Sequence, residues 1–252
     1  MRVGLVPLEV QPRLSGNLVR MITWANRVAD EGAQLVVFPE ACLTGLVNDN
    51  EPEHDLPLGL PVPGPATDVL GRVARGRGIH IAFGLLERDE DLLFDTAVLL
   101  DDRGEVVLRY RRITGGWHGP LADPAVYGQG YDLPVAETSL GRFACLLCGD
   151  LFDDEVADGA RDLAVDWLLF PLWRCVDDNA LAARLWAEKE EGVYAERVAR
   201  VGCTTLMVNA LADATMSGGS FGGAWVRAPD GSPQAELQIG EVGALLADVG
   251  TG

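Results

Sequence analysis

Lysine is almost missing from this chain: of 20 Lys plus Arg residues, only Lys189 is a lysine. Histidine is scarce too, with three residues spread along 252 positions, which argues against a histidine-built metal centre. The five cysteines, Cys42, Cys145, Cys148, Cys175 and Cys203, are odd in number and irregularly spaced, so a disulfide framework is not expected. Cys145 and Cys148 form a C-x-x-C, but Leu-Leu between them extends a strand rather than making a metal knuckle, and positions three apart on a strand face opposite ways. No apolar run approaches the roughly 20 residues of a membrane span. The opening MRVGLVPLEV begins directly as a strand, without the basic and apolar regions of a secretory leader. Net charge is −18, an acidic balance that repels nucleic acid and anionic membrane. These absences leave a soluble cytoplasmic protein with a small-molecule partner as the expectation, without metal or other cofactor.

What is present is core material. Hydrophobic residues make up 48% of the chain, enough for one substantial core. Apolar strands alternate with amphipathic helices. Residues 2–7 and QLVVFPE (34–40) read as strands, with a helix over 15–31 between them and Ser15 as candidate N-cap. A second helix over 66–78 has Thr67 as candidate N-cap. HIAFGLLER and a hairpin through DDRGE follow, then a long irregular connection over 113–134. FACLLCGD, WLLFPLW and CTTLMVNAL give further strands, with helices over 156–166 and 179–201. A hairpin, GGAWVRAPDGSPQAEL, and a last run, EVGALLADV, close the chain. No linker divides it, so residues 1–252 are expected to form a single α/β domain, with a mixed sheet or two stacked sheets covered by helices.

Three strand ends carry reactive groups. Glu40 ends QLVVFPE, Arg111 or Arg112 ends VLRYRRI, and Cys148 ends FACLLC. A thiol beside a carboxylate and a cation suits acyl transfer. The carboxylate takes the thiol proton, the thiolate attacks an electrophilic carbon, and the cation stabilises the negative charge that develops. Each residue also has a structural explanation: a core cysteine, a loop-holding glutamate, a solvated arginine.

The order of these segments resembles the nitrilase (carbon–nitrogen hydrolase) superfamily over nearly the whole chain. The resemblance rests on MRVGLVPL, NLVRMITWANRVADEGAQLVVFPEACLTG, DTAVLLDDRGEVVLRYRRI, GRFACLLCGDLFDDE, WLLFPLW and GGSFGGAWVRAPDGSPQAEL. It implies an α-β-β-α sandwich, a homodimer or larger homo-oligomer, no metal, and cleavage of amide, nitrile or carbamoyl C–N bonds through a thioester-type intermediate. It assigns Glu40 as general base and Cys148 as nucleophile, and aligns Glu155 with the acid that ends the segment after the cysteine. It puts Arg112 where a lysine is expected, and Ala125, with Asp123 near it, where a second glutamate is expected. Backbone groups of Gly149 and Asp150 fall at the oxyanion position. A bulkier residue is commoner at 149, so Gly149 would widen the pocket, with Trp117, Trp173 and Phe152 as candidates to line it.

Arginine in the lysine place changes the chemistry. A guanidinium stays charged and holds an oxyanion, but it does not readily give up a proton. A bond from Arg112 to Glu40 would also weaken that base. His118, six residues on, is a candidate to supply the proton transfer, and is otherwise a loop histidine. Lys189, among acids in WAEKEEG, reads as a solvated helix charge. Two readings stay open: a thiol hydrolase, or a silent member of the fold repurposed for binding.

Overall fold

A computed structural model describes residues 1–176, 178–213, 216 and 219–250. The first half runs β1 (Arg2–Leu5), β2 (Glu9–Val10), α1 (Leu14–Asp30), β3 (Leu35–Val37), a short α2 (Pro52–Asp55), α3 (Pro65–Arg77), β4 (His80–Asp89), β5 (Leu92–Leu100) and β6 (Val106–Arg111). The second half runs β7 (Ala136–Thr138), β8 (Gly141–Cys145), α4 (Asp154–Asp162), β9 (Trp167–Leu172), α5 (Asn179–Leu185), α6 (Glu191–Val201), β10 (Thr204–Asn209), β11 (Leu211–Ala212), β12 (Ala224–Arg227), β13 (Pro233–Leu237) and β14 (Leu245–Asp248). A π-helical turn, Trp186–Glu190, joins α5 to α6.

Two six-stranded sheets hold the molecule together, in the orders β14-β1-β3-β4-β5-β6 and β13-β12-β10-β9-β8-β7. In each, three strands are parallel: β1, β3 and β4 in the first, β8, β9 and β10 in the second. The last run crosses over: EVGALLADV supplies β14, antiparallel to β1 in the first sheet. A small pair, β2 with β11, bridges the two halves of the chain.

Alternation along the strands explains the layers. In β3, Val36 faces outward under the helices, while Leu35 and Val37 face the other sheet. Outer residues such as Val36, Phe38, Ile81 and Phe83 pack with Met21, Ala25 and Val28 of α1 and with Leu70 and Ala74 of α3. Val3, Leu5, Val37, Leu99 and Tyr110 belong to the cluster that also holds Phe143, Leu169 and Met207 and continues under α4 and α6. Each such fully buried Val, Leu or Phe contributes roughly 1.5–3 kcal/mol. The result is an α-β-β-α sandwich, as the sequence led us to expect. Among the described residues, no helix is long and apolar enough to cross a membrane.

The helix starts differ from expectation. Ser15 lies inside α1, and Arg13 at the N-cap makes no side-chain bond. Asn17 ties down the end instead: its Oδ1 accepts from Gln11 N–H at 2.9 Å, and its Nδ2 donates to Gln11 O at 2.8 Å and Leu43 O at 3.2 Å. Thr67 lies in the first turn of α3, not before it, and its hydroxyl accepts the Gly64 N–H at 2.8 Å.

Candidate active site

Glu40 sits just beyond β3. Pro39 cannot continue the ladder, and Gly84 N–H donates to its carbonyl at 3.0 Å. That approach needs a glycine, since a Cβ on residue 84 would lie 2.7 Å from Glu40 Cα. The chain then turns through Ala41 at φ +44°. Glu40 is left completely buried, with its carboxylate pointing into the site.

Arg112 follows β6, held by its own N–H to Asp95 O at 2.8 Å. Its Nη1 donates to Glu40 Oε1 at 2.9 Å, and its Nε lies 3.2 Å from Thr114 Oγ. The same Nη1 is 3.5 Å from Asp95 Oδ2. Burial alone would weaken this guanidinium, but Glu40 and Asp95 outweigh it and hold Arg112 above its already high ordinary value. It is a permanent cation. Its Nη2 fills space left by two glycines: a Cβ at Gly149 would lie 2.5 Å from it, and one at Gly116 2.9 Å.

Cys148 lies three residues past the end of β8 and opens a 3-10 turn, Cys148–Phe152, at φ +41°. A non-glycine residue in that region is strained, and such strain gathers at functional sites. Asp150 holds the turn. Its buried carboxylate accepts from Tyr110 OH at 2.6 Å, Thr114 N–H at 2.8 Å and Leu147 N–H at 3.2 Å. Asp150 N–H itself donates to Leu147 O at 2.9 Å, so this amide is spent on the turn rather than left for an oxyanion. The thiol of Cys148 is pushed up by burial and then by the charge of Glu40, while Arg112 and the backbone of Trp173 oppose the shift. Burial and the Glu40 charge thus favour the neutral thiol over the thiolate. Cys145, by contrast, ends β8 and is sealed in the core; the strand expected to run on to Cys148 stops there, so the turn and not strand alternation sets the two thiols apart.

The glutamate, the cation and the cysteine thus meet at one point, reached from β3, β6 and β8. The sequence profile of the carbon–nitrogen hydrolase family matches residues 2–251. The chain belongs to the carbon–nitrogen hydrolase family. It is 28% identical to a nitrilase of Paraburkholderia phymatum over 153 residues, 56% of this chain and 44% of that protein. It is 31% identical to a formamidase of Bacillus cereus over 129 residues, 50% of this chain and 37% of that protein. The matched segment therefore spans less than half the length of either relative. Similarity in structure extends further: an amidase from Nesterenkonia sp. superposes with a TM-score of 0.80 at 25% identity, over 99% of this chain and 90% of that one. A glutamate-to-glutamine mutant of that amidase, showing Michael addition of acrylamide at the active-site cysteine, superposes with a TM-score of 0.78 at 25% identity, over 99% of this chain and 93% of that one.

In this family member a pocket of about 380 Å³ opens over the thiol, lined by Cys148, Gly149, Phe152, Arg174, Lys189, Glu190, Val193 and Tyr194. Phe152 meets Tyr194 edge to face at 4.9 Å. Arg174 makes a forked pair with Glu190, at 2.6 and 3.3 Å. Lys189 stands on the π-helical turn beside them, with no acid within ion-pairing distance among the described residues. Lys189 is exposed there, as a solvated helix charge should be, and the π turn also sets it at the rim of the pocket.

Other expected residues lie elsewhere. Trp117, His118 and Trp173 line a separate depression of about 280 Å³ with Leu46, Asn48, Asn50 and Cys175. Trp117 packs against His118 and Tyr127, and His118 Nδ1 is bonded to Gly119 O at 2.9 Å. Only Trp173, through its backbone, reaches the thiol. Asp123 is exposed and caps its own turn at Ala125 N–H, 2.9 Å away, and Glu155 is exposed in the first turn of α4. Gly149 does not widen the pocket, since the space its missing Cβ frees is taken by Arg112. One group of metal-type ligands, Asp49, His54 and Asp55, gathers at the surface. Asp55 is already committed there, accepting from Asp49 N–H, Asn50 N–H and Tyr127 OH.

Proposed function

We propose that this protein hydrolyses a C–N bond of a small amide, nitrile or carbamoyl compound, with Cys148 as nucleophile, Glu40 as base and Arg112 in the role for which the family resemblance expects lysine. The observation that carries the reading is the meeting of Glu40 Oε1 and Arg112 Nη1 at 2.9 Å beside a strained, pocket-facing Cys148. Glu40 accepts the thiol proton as sulfur attacks the carbonyl carbon. The oxyanion forms against the Arg112 guanidinium and the Gly149 N–H. Glu40 then returns the proton to the leaving nitrogen, which leaves a thioester for water to cleave. Arg112 stabilises charge throughout and moves no proton. The amidase relatives, matched over nearly the whole chain, favour amides over nitriles.

The same Arg112–Glu40 bond supports a second reading. It ties up the carboxylate that would take the thiol proton and would suit a silent member that binds a small molecule. One experiment separates the two: ammonia release from formamide, acetamide and propionamide, with Cys148→Ala as control. Turnover abolished by Cys148→Ala supports the hydrolase. Binding of these amides with no release of ammonia favours the silent member.

A further inference from the structure

Asp95, on β5, has no role in the scheme above, yet its side chain is fully buried against the site. Neither of its carboxyl oxygens has a hydrogen-bond donor, and Glu40 Oε2 has none either. Both carboxyl groups border the same nitrogen, Arg112 Nη1. The charged and titratable groups around Asp95 are Glu40 from the turn after β3, Arg112 after β6, the Cys145 thiol at the end of β8, and Asp150 and the thiol of Cys148 from the turn after β8. Asp150 is satisfied by three donors of its own. That leaves two facing carboxyl groups and one cation, Arg112, at 2.9 Å from the first and 3.5 Å from the second. Two carboxylates buried around one cation do not both stay ionised, and a buried acceptor without a donor is costly. A single proton between them leaves one negative charge and gives Glu40 Oε2 a donor. Burial, reinforced by the neighbouring Glu40, holds the Asp95 carboxyl well above the ordinary carboxylate range.

We propose that Asp95 is a positioning residue that carries a proton at neutral pH and donates it in a hydrogen bond to Glu40, so that Glu40 is the one ionised base facing the Cys148 thiol. This deepens the hydrolase reading and rests on it for the catalytic consequence alone. The protonated acid supplies the donor that Glu40 Oε2 lacks, while Arg112 holds Oε1. It also keeps a second negative charge away from a site that must build a thiolate and an oxyanion. When Asp95 loses its proton at alkaline pH, that charge appears and turnover falls.

The test pairs infrared difference spectroscopy with kinetics. Wild type at neutral pH should show a protonated-carboxyl C=O band that shifts in D₂O and is missing from Asp95→Asn. An asparagine amide N–H replaces the donor, so this variant should keep kcat/KM on acetamide within about threefold, with its alkaline limb moved to higher pH; Asp95→Leu, which has no donor, should lose about tenfold or more. Absence of the band in wild type, or its persistence in Asp95→Asn, overturns the proposal. So does an Asp95→Asn variant as inactive as Asp95→Leu, because the site then needs a carboxylate there. If the band behaves as expected but wild type hydrolyses no amide, the shared proton stands and the hydrolase reading fails.

Discussion

Nη2 of Arg112 occupies the volume that a side chain on residue 149 would claim: a Cβ there would lie 2.5 Å from it. The large cation and the missing Cβ are two halves of one fit. Gly149→Ala should push the guanidinium off Glu40 and lower kcat/KM by about 10- to 100-fold. Stability should fall by about 1–3 kcal/mol or more, because overpacking displaces a buried guanidinium from its buried carboxylate. Lysine has no second terminal nitrogen, so in an Arg112→Lys background the alanine should be nearly harmless. A double-mutant cycle reads this directly, and a coupling below about 0.5 kcal/mol would refute the fit.

Gly84 allows the Glu40 turn to lie on β4. A Cβ there would meet backbone, which cannot swing away as a side chain does. Gly84→Ala should cost about 1–3 kcal/mol by overpacking. Urea unfolding measures the loss, and a variant within about 0.5 kcal/mol of wild type would contradict the close approach.

Cys148 should alkylate slowly at neutral pH, since burial and Glu40 keep it a thiol. Iodoacetamide labelling, mapped by peptide mass, should accelerate as pH rises. Glu40→Gln removes a negative charge beside the sulfur, so its labelling should accelerate at lower pH than in wild type. Rapid labelling of wild type in mild acid would mean a resting thiolate and would sink this account.

The buried acid Asp95 also leaves a signature in stability. Its folded value lies above the ordinary 3.8, so the native state holds a proton that the unfolded chain releases. The favourable contribution is complete below 3.8 and is lost as pH rises toward the folded value. Asp95→Asn removes this dependence, so the gap in unfolding free energy between variant and wild type should move in the variant's favour as pH climbs from acid to neutral. Parallel stability–pH curves for the two proteins would show that Asp95 is ionised in the folded state.

Much of this protein is legible in its sequence. Strand and helix periodicity reports local geometry, so the alternating segments can be read without coordinates, but Glu40 and Cys148 each lie three residues past the strand they were expected to end. Capping is less legible, because Ser15 and Asn17 compete for the same helix end and the winner depends on Gln11 and Leu43 across a turn. The lone acid in FDTAVLL was a visible signal, but a polar residue on a hairpin strand usually faces water. Only the pairing of β4 with β5 and β6, and the stacking of the second sheet over them, puts Asp95 against Glu40. Lys189 reaches the pocket through a π turn, and Trp117 and His118 line a different depression, for the same reason. Sequence periodicity determines which face of an element is apolar. Burial, and with it the protonation of a carboxyl group, is decided by what packs on that face from far along the chain.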